Sequence, residues 1–273
     1  MGTIRKVALA LAGLLLAACV AVAMGTWAYP GERDLIAERS GFRLSVTGIG
    51  AGLSCLTLLS FAALWRKAGG RKGAGDALNG LGFGLLPAAA VWKIFEQRTG
   101  TGQGREIPEG LPRLPWISEG GAAQPCRIEL ILALLLFAAI LLWLMLRKGE
   151  TLPAGDLAGV SLACWAAARM LTENLRLRQI AALPEDFRIA GWAAAAAMAL
   201  ILILWTARAF RQQKNTGYAF ACLPVFVISV AGIVLIQNGI LTGYTPAVDV
   251  IAQVCLALLA LKAVLCMGRV TRN

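Results

Sequence analysis

Eight long apolar stretches dominate this chain, at about 7–28, 44–65, 77–95, 128–146, 157–171, 189–207, 218–240 and 248–267. Most are long enough to cross a hydrocarbon core of roughly 30 Å as helices. Inside lipid every backbone polar group must find its partner within the protein, so only helices and closed barrels span. These runs are continuously apolar instead of alternating, which excludes the barrel. Charged residues make up 15% of the 273 positions and the mean hydropathy is +0.70, far from a soluble domain. The expected fold class is therefore all-α: a polytopic transmembrane helical bundle of about eight spans. Residues 1–273 read as a single integral membrane domain without clear repeats. The fifth stretch is short unless the segment around Arg169 continues it.

The basic residues orient the bundle. Arg5, Lys6, Arg66, Lys67, Arg71, Lys72, Arg147, Lys148, Arg208, Arg211, Lys214, Arg269 and Arg272 fall at the termini and in alternate loops. Only Asp76, Glu150 and Asp156 oppose them there, a balance of +10, while the other side balances to zero. The positive-inside rule then puts both termini in the cytoplasm. Scattered over short loops without interleaved aromatics, these cations do not suit nucleic acid. The balanced side is the informative one, because orientation does not explain its charges. Mixed signs next to spans mean ion pairs around a polar cavity, or simply a wet loop.

Seven cysteines lie at 19, 55, 126, 164, 222, 255 and 266, with no CxxC pair, and read as small buried apolar side chains. The chain has no histidine, so it lacks the usual proton carrier and the commonest metal ligand; no metal or cofactor is expected. "MGTIRK" followed by "VALALAGLLLAAC" has the look of a lipoprotein signal ending at Cys19. The sequence beyond it, "VAVAMGTWAY", stays apolar, as an uncut first span would.

Two segments carry candidate chemistry. The third stretch ends "AVWKIFEQR", so Lys93 and Glu96 stand three residues apart and can pair on one helix face. The loop after it, "TGTGQGRE", has Gly100, Gly102 and Gly104; it is either an anion-binding nest of backbone N–H groups or a plain loop. In "WAAARMLTENLR", Arg169, Glu173 and Arg176 share one face. Arginines inside spans are rare and are usually paired or cavity-facing. With Glu173 neutralising one arginine, a net positive spot remains. It would suit a lipid phosphate gripped by two hydrogen bonds. The alternative is that Arg169 snorkels to the interface from a short helix.

In order, "GLSCLTLLSFAALWRK", "GDALNGLGFGLLPAAAVWKIFEQRTGTGQGRE", "QPCRIELILALLLFAAILLWLMLRK", "ARMLTENLR" and "FRIAGWAAAAAMALIL" resemble the prolipoprotein diacylglyceryl transferases over about residues 45–207. An additional helix pair, 216–268, follows that core. The family transfers a diacylglyceryl group from phosphatidylglycerol to a lipobox cysteine thiol at the bacterial cytoplasmic (inner) membrane. The resemblance implies phosphatidylglycerol or a related anionic phospholipid as a partner, together with prolipoprotein signal peptides. Arg169 matches the family's essential arginine, and Glu173 and Arg176 match its neighbours. In the signature loop Lys93 stands where the family has arginine, Glu96 where it has asparagine and Thr101 where it has glutamate. Gly100, Gly104 and Arg105 fit, and another register uses Gln103 as a polar contact. Pro125 and Glu129 approximate the next motif, with Gln124 replacing its histidine; Leu56 falls where the family has another histidine.

The resemblance thus implies Arg169, Lys93 and Glu96 as catalytic residues. Substrate contacts would come from Glu173, Arg176, Gly100, Gln103, Gly104, Arg105 and Glu129. The competing reading is a non-catalytic relative that binds phospholipid or a signal helix as a membrane partner. A small-solute transporter would call for paired broken helices in two repeats, and no repeat is evident. Geometry separates these readings: an enzyme or lipid binder requires Lys93, Glu96 and Arg169 around one cavity open to lipid.

Overall fold

The computed structural model describes residues 46–67, 73–96, 104, 106–107, 113, 118–146, 152–175, 189–212, 217–237, 240–241 and 246–272. Seven helices run through them: α1 (Val46–Lys67), α2 (Ala74–Glu96), α3 (Pro125–Leu146), α4 (Asp156–Thr172), α5 (Ile189–Arg211), α6 (Gly217–Gln237) and α7 (Pro246–Arg272). Five are long and apolar enough to cross a membrane: α2, α3 and the greater part of α5, α6 and α7. The protein is thus a multi-pass membrane protein. The stretch expected at 7–28, with Cys19, lies outside the described residues.

The fifth stretch is a 17-residue helix, α4, that runs on through a 3-10 turn at Glu173–Leu175. That turn carries the chain past Arg169 with its backbone still hydrogen-bonded, as the N–H of Glu173 donates to the carbonyl of Arg169. α4 is also the bundle's central post. It packs against α2, α3, α5 and α7, and its residues Leu157, Ala163 and Ala167 are buried.

Small residues set how closely the helices approach. Gly82 of α2 faces the backbone at Leu157 and Ala158 of α4 so closely that a Cβ there would collide with it. Gly84 meets α1 the same way, with a Cβ falling 2.5 Å from the carbonyl oxygen of Leu58. Without a hydrophobic drive between helices in lipid, such close van der Waals contact is what holds spans together. On the other side of α4, the Trp205 ring of α5 fills the space left by Gly159 of α4 and Gly268 of α7. Phe61, Phe83 and Phe137 join α1, α2 and α3, with ring centroids 5.5–5.8 Å apart.

One element departs from the all-helical expectation. Before α3, "SEGGAA" makes a two-residue hairpin, β1 (Ser118–Glu119) paired with β2 (Ala122–Ala123). Gly120 and Gly121 both have positive φ, 58° and 84°, which is the backbone that a tight primed turn demands. Glu106 bridges to Ala122 as a further rung. The loop returns under the hairpin at Gly104, where a Cβ would strike the carbonyl of Ala123 and the Pro125 ring. The hairpin thereby holds Gly104 against the start of α3.

Candidate functional site

At the end of the bundle where α2 and α4 finish and α3 begins, five charged side chains meet. Lys93 and Glu96 come from the last turn of α2, Glu129 from the first turns of α3, Arg169 from α4 and Glu173 from its 3-10 extension. Lys93, Glu96, Glu129 and Glu173 are buried, with Glu129 at 0% exposure. Arg169 is half-buried. Buried ions are tolerated only when paired and hydrogen-bonded, and here they pair with one another.

Glu129 is the hub. Its Oε1 accepts from the Arg169 guanidinium and, at 2.6 Å, from the Thr172 hydroxyl. Its Oε2 lies 2.5 Å from Lys93 Nζ. Lys93 also donates to Glu96 Oε2, the pairing its three-residue spacing foreshadows. Arg169 NH2 reaches Glu173 Oε2 at 3.2 Å, an i, i+4 pair. The Lys93 ammonium sits 5.7 Å from the centre of the Trp165 ring, within cation–π range. One carboxylate thus ties α2, α3 and α4 together, and both cations are held in fixed directions.

Beside this cluster lies a cavity of about 460 Å³ between α1, α2 and α4. Lys93, Glu96 and Arg169 line it together with Ser54, Trp92 and Trp165. On its α1 wall, among the described residues, Cys55 is exposed, as is the neighbouring Leu56, at 61%. The three residues expected to carry chemistry therefore converge on one cavity with an apolar margin, as a lipid binder or lipid enzyme requires. Convergence also disposes of the snorkelling alternative for Arg169. Its guanidinium is turned inward to Glu129 and Glu173.

The expected net positive spot is not met among the described residues. Two cations, Lys93 and Arg169, face three carboxylates, Glu96, Glu129 and Glu173. That expectation sets Glu173 against Arg169 and Arg176; Arg176 lies outside the described residues, and Glu96 and Glu129 are brought in from α2 and α3. Glu129, expected as a substrate contact, is enclosed and engaged with Lys93, Arg169 and Thr172. Gly104 stands against Ala123 and Pro125 of the hairpin and α3. Gly100, Thr101, Gln103, Arg105 and Arg176 lie outside the described residues. Linear spacing does not reveal Thr172, Trp165 or Ser54. The one available signal is an acid near the start of a strongly apolar helix, "CRIELILALLL", which has to find a buried partner.

The other end of α4 carries a second polar group. The Asp156 carboxylate, fully buried, accepts from Arg208 of α5 at 2.9 Å. Asn79 of α2 donates to the carbonyl of Pro153 and accepts from the N–H of Leu157, both at 3.0 Å. Trp65 Nε1 donates to Asp76 at 3.1 Å. Asn79 in particular satisfies backbone groups where α4 begins.

Comparison with protein-family models, with curated proteins and with solved structures finds no match to this chain.

Proposed function

We propose that this protein handles phospholipid in the membrane as a diverged phosphatidylglycerol–prolipoprotein diacylglyceryl transferase. The carrying observation is the convergence of Lys93, Glu96 and Arg169 on one cavity between α1, α2 and α4. In this reading phosphatidylglycerol enters past α1 with its phosphate toward Arg169 and Lys93. The acceptor is a cysteine thiol of a prolipoprotein signal helix. Its proton passes to the Glu96 carboxylate. The sulfur then attacks the glycerol carbon esterified to phosphate, a thioether C–S bond forms and the C–O bond breaks. The electron pair leaves on the phosphate oxygen of glycerol phosphate. Arg169 and Lys93 stabilise charge as it develops there, and the proton on Glu96 is released with the product.

A specific observation favours the second reading, a non-catalytic relative that binds phospholipid or a signal helix. Both cations already have carboxylate partners, and Lys93 lacks the two-point fork of an arginine. A phosphate would have to compete with Glu129 for each of them. One experiment separates the two readings: expression of this chain in cells depleted of their own diacylglyceryl transferase. Restored growth, with a diacylglyceryl thioether on a reporter lipoprotein, is the expected result. Unmodified reporter, with phosphatidylglycerol still co-purifying with the protein, would establish the binder; neither signal would overturn both.

A further inference from the structure

A second cleft lies at the opposite end of the bundle, between α3, α4 and α7. It encloses about 450 Å³, within the roughly 300–1,000 Å³ of ligand sites. Leu136, Ile140 and Trp143 of α3 and Val160 of α4 wall it, and Lys262 and Arg269 of α7 complete it. These cations are seven residues apart, two helical turns, and so leave the same face of α7. Both are exposed. Among the described residues no carboxylate lines the cleft, and none pairs with either cation. The level of the site follows from its neighbours. Gly268 packs on Trp205, three residues before the Arg208 that pairs with Asp156, so Arg269 stands at the basic end of the bundle.

We propose that this cleft holds one anionic phospholipid, its phosphate between Arg269 and Lys262 and an acyl chain along Leu136, Ile140 and Trp143. Three observations converge on that occupant. Lys262 lies inside a membrane-crossing segment, Ala247–Val270, where an unneutralised ammonium is costly. The cleft offers two cations and no acid, so a zwitterionic headgroup would bring a positive charge against positive charge. The surrounding surface is apolar, with Leu135, Leu142 and Leu258 each more than half exposed, so the neighbour available to fill the cleft is lipid. Arg269 supplies a planar fork for two phosphate oxygens, while Lys262 reaches up along its flexible stem. Both cations belong to the helix pair that follows the transferase-like core. The site stands independently of the cavity at Arg169.

Photo-crosslinking of the full chain in nanodiscs tests this. The probes are phosphatidylglycerol and phosphatidylcholine carrying the same diazirine on one acyl tail. Phosphatidylglycerol is expected to label the α3 and α7 peptides that contain Leu136–Trp143 and Leu258–Arg269 about tenfold more than phosphatidylcholine does. The double variant Lys262→Gln/Arg269→Gln should bring the two lipids level, and Lys262→Arg should not. Equal labelling of wild type by both lipids, or undiminished labelling of a folded double variant, would overturn the site. Should the double variant melt early, competition on wild type decides. Unlabelled phosphatidylglycerol alone should displace the probe, and equal displacement by phosphatidylcholine refutes the site.

Discussion

α4 ends in buried charge at both its ends, and the two ends solve the same electrostatic problem differently. At its start one acid, Asp156, meets one base, Arg208, and Asn79 satisfies the neighbouring backbone. No cavity described above reaches this pair. At its finish, among the described residues, Glu96, Glu129 and Glu173 meet Lys93 and Arg169 beside a cavity. A closed pair away from any cavity can fasten helices and do little else. A set of several buried charges beside a cavity can answer to a ligand, a proton or a counter-ion, and ionisable groups so placed in membranes mark functional sites. On the proposed function, the Asp156 end would serve stability and the Arg169 end chemistry.

Removing the hub should produce the largest effect. Glu129→Ala leaves Lys93 and Arg169 without their shared partner and opens a void among three helices. A loss of about 3–5 kcal/mol in stability is expected, read as a lower melting temperature in detergent. Glu129→Gln keeps the shape while removing the carboxylate that both cations share, leaving Lys93 with Glu96 and Arg169 with Glu173, so its residual folded fraction should hold more anionic lipid than wild type. Less lipid would show that Glu129 orients the cations for the ligand and does not compete with it.

Arg169 comes next. Arg169→Ala should weaken phosphatidylglycerol retention at the cavity, or transfer, at least about tenfold, since a desolvated charged contact is worth about 2–5 kcal/mol. Arg169→Lys should recover only part of this, because an ammonium cannot reproduce the two-point contact. A lysine variant equal to wild type in cavity-mapped lipid crosslinking would mean that charge alone matters there.

Asp156→Asn at the other end is the control that tests the comparison itself. Its expected cost is about 1–3 kcal/mol of stability, as Arg208 loses its ionic partner but remains close enough to the surface to find water. Lipid retention at the Arg169 cavity should not change. If it falls in step with stability, the two ends are one cooperative structure, and the division of labour fails. The smallest effect belongs to Glu173→Gln. Its single 3.2 Å contact is an i, i+4 pair worth about 0.5 kcal/mol, so a loss of about twofold in lipid binding is expected.

Seven of the eight apolar stretches are helices among the described residues, five of them long and apolar enough to cross a membrane, and hydrophobic length made these legible, down to the odd shortness of the fifth stretch. The Lys93–Glu96 and Arg169–Glu173 pairs were legible for a local reason: three or four residues of spacing put side chains on one helical face. Glu129 marks where such reading stops. It is 36 residues from Lys93 and 40 from Arg169, and only the packing of α2, α3 and α4 makes it their common partner. The carboxylates that α2 and α3 deliver beside Arg169 are illegible for the same reason, since charge balance in a cluster is a tertiary property. The hairpin at Gly120–Gly121 had a local signal, two glycines in a row, but lay in a loop where no hydrophobic period drew attention to it.

One consequence of the short central helix concerns the membrane itself. Asp156 and Arg169 are thirteen residues apart on α4, about 20 Å along the axis, whereas a bilayer's hydrocarbon is roughly 30 Å deep. With the Asp156 end at one boundary and α4 upright, Arg169 would lie about 10 Å beneath the other. On the proposed function, a phospholipid that met Arg169 would descend out of register with its neighbours and offer its glycerol carbons below the surrounding interface. Bilayer thickness would then become a variable of the site: thinner membranes would bring the phosphate to Arg169 at little elastic cost, and thicker ones would hold it away.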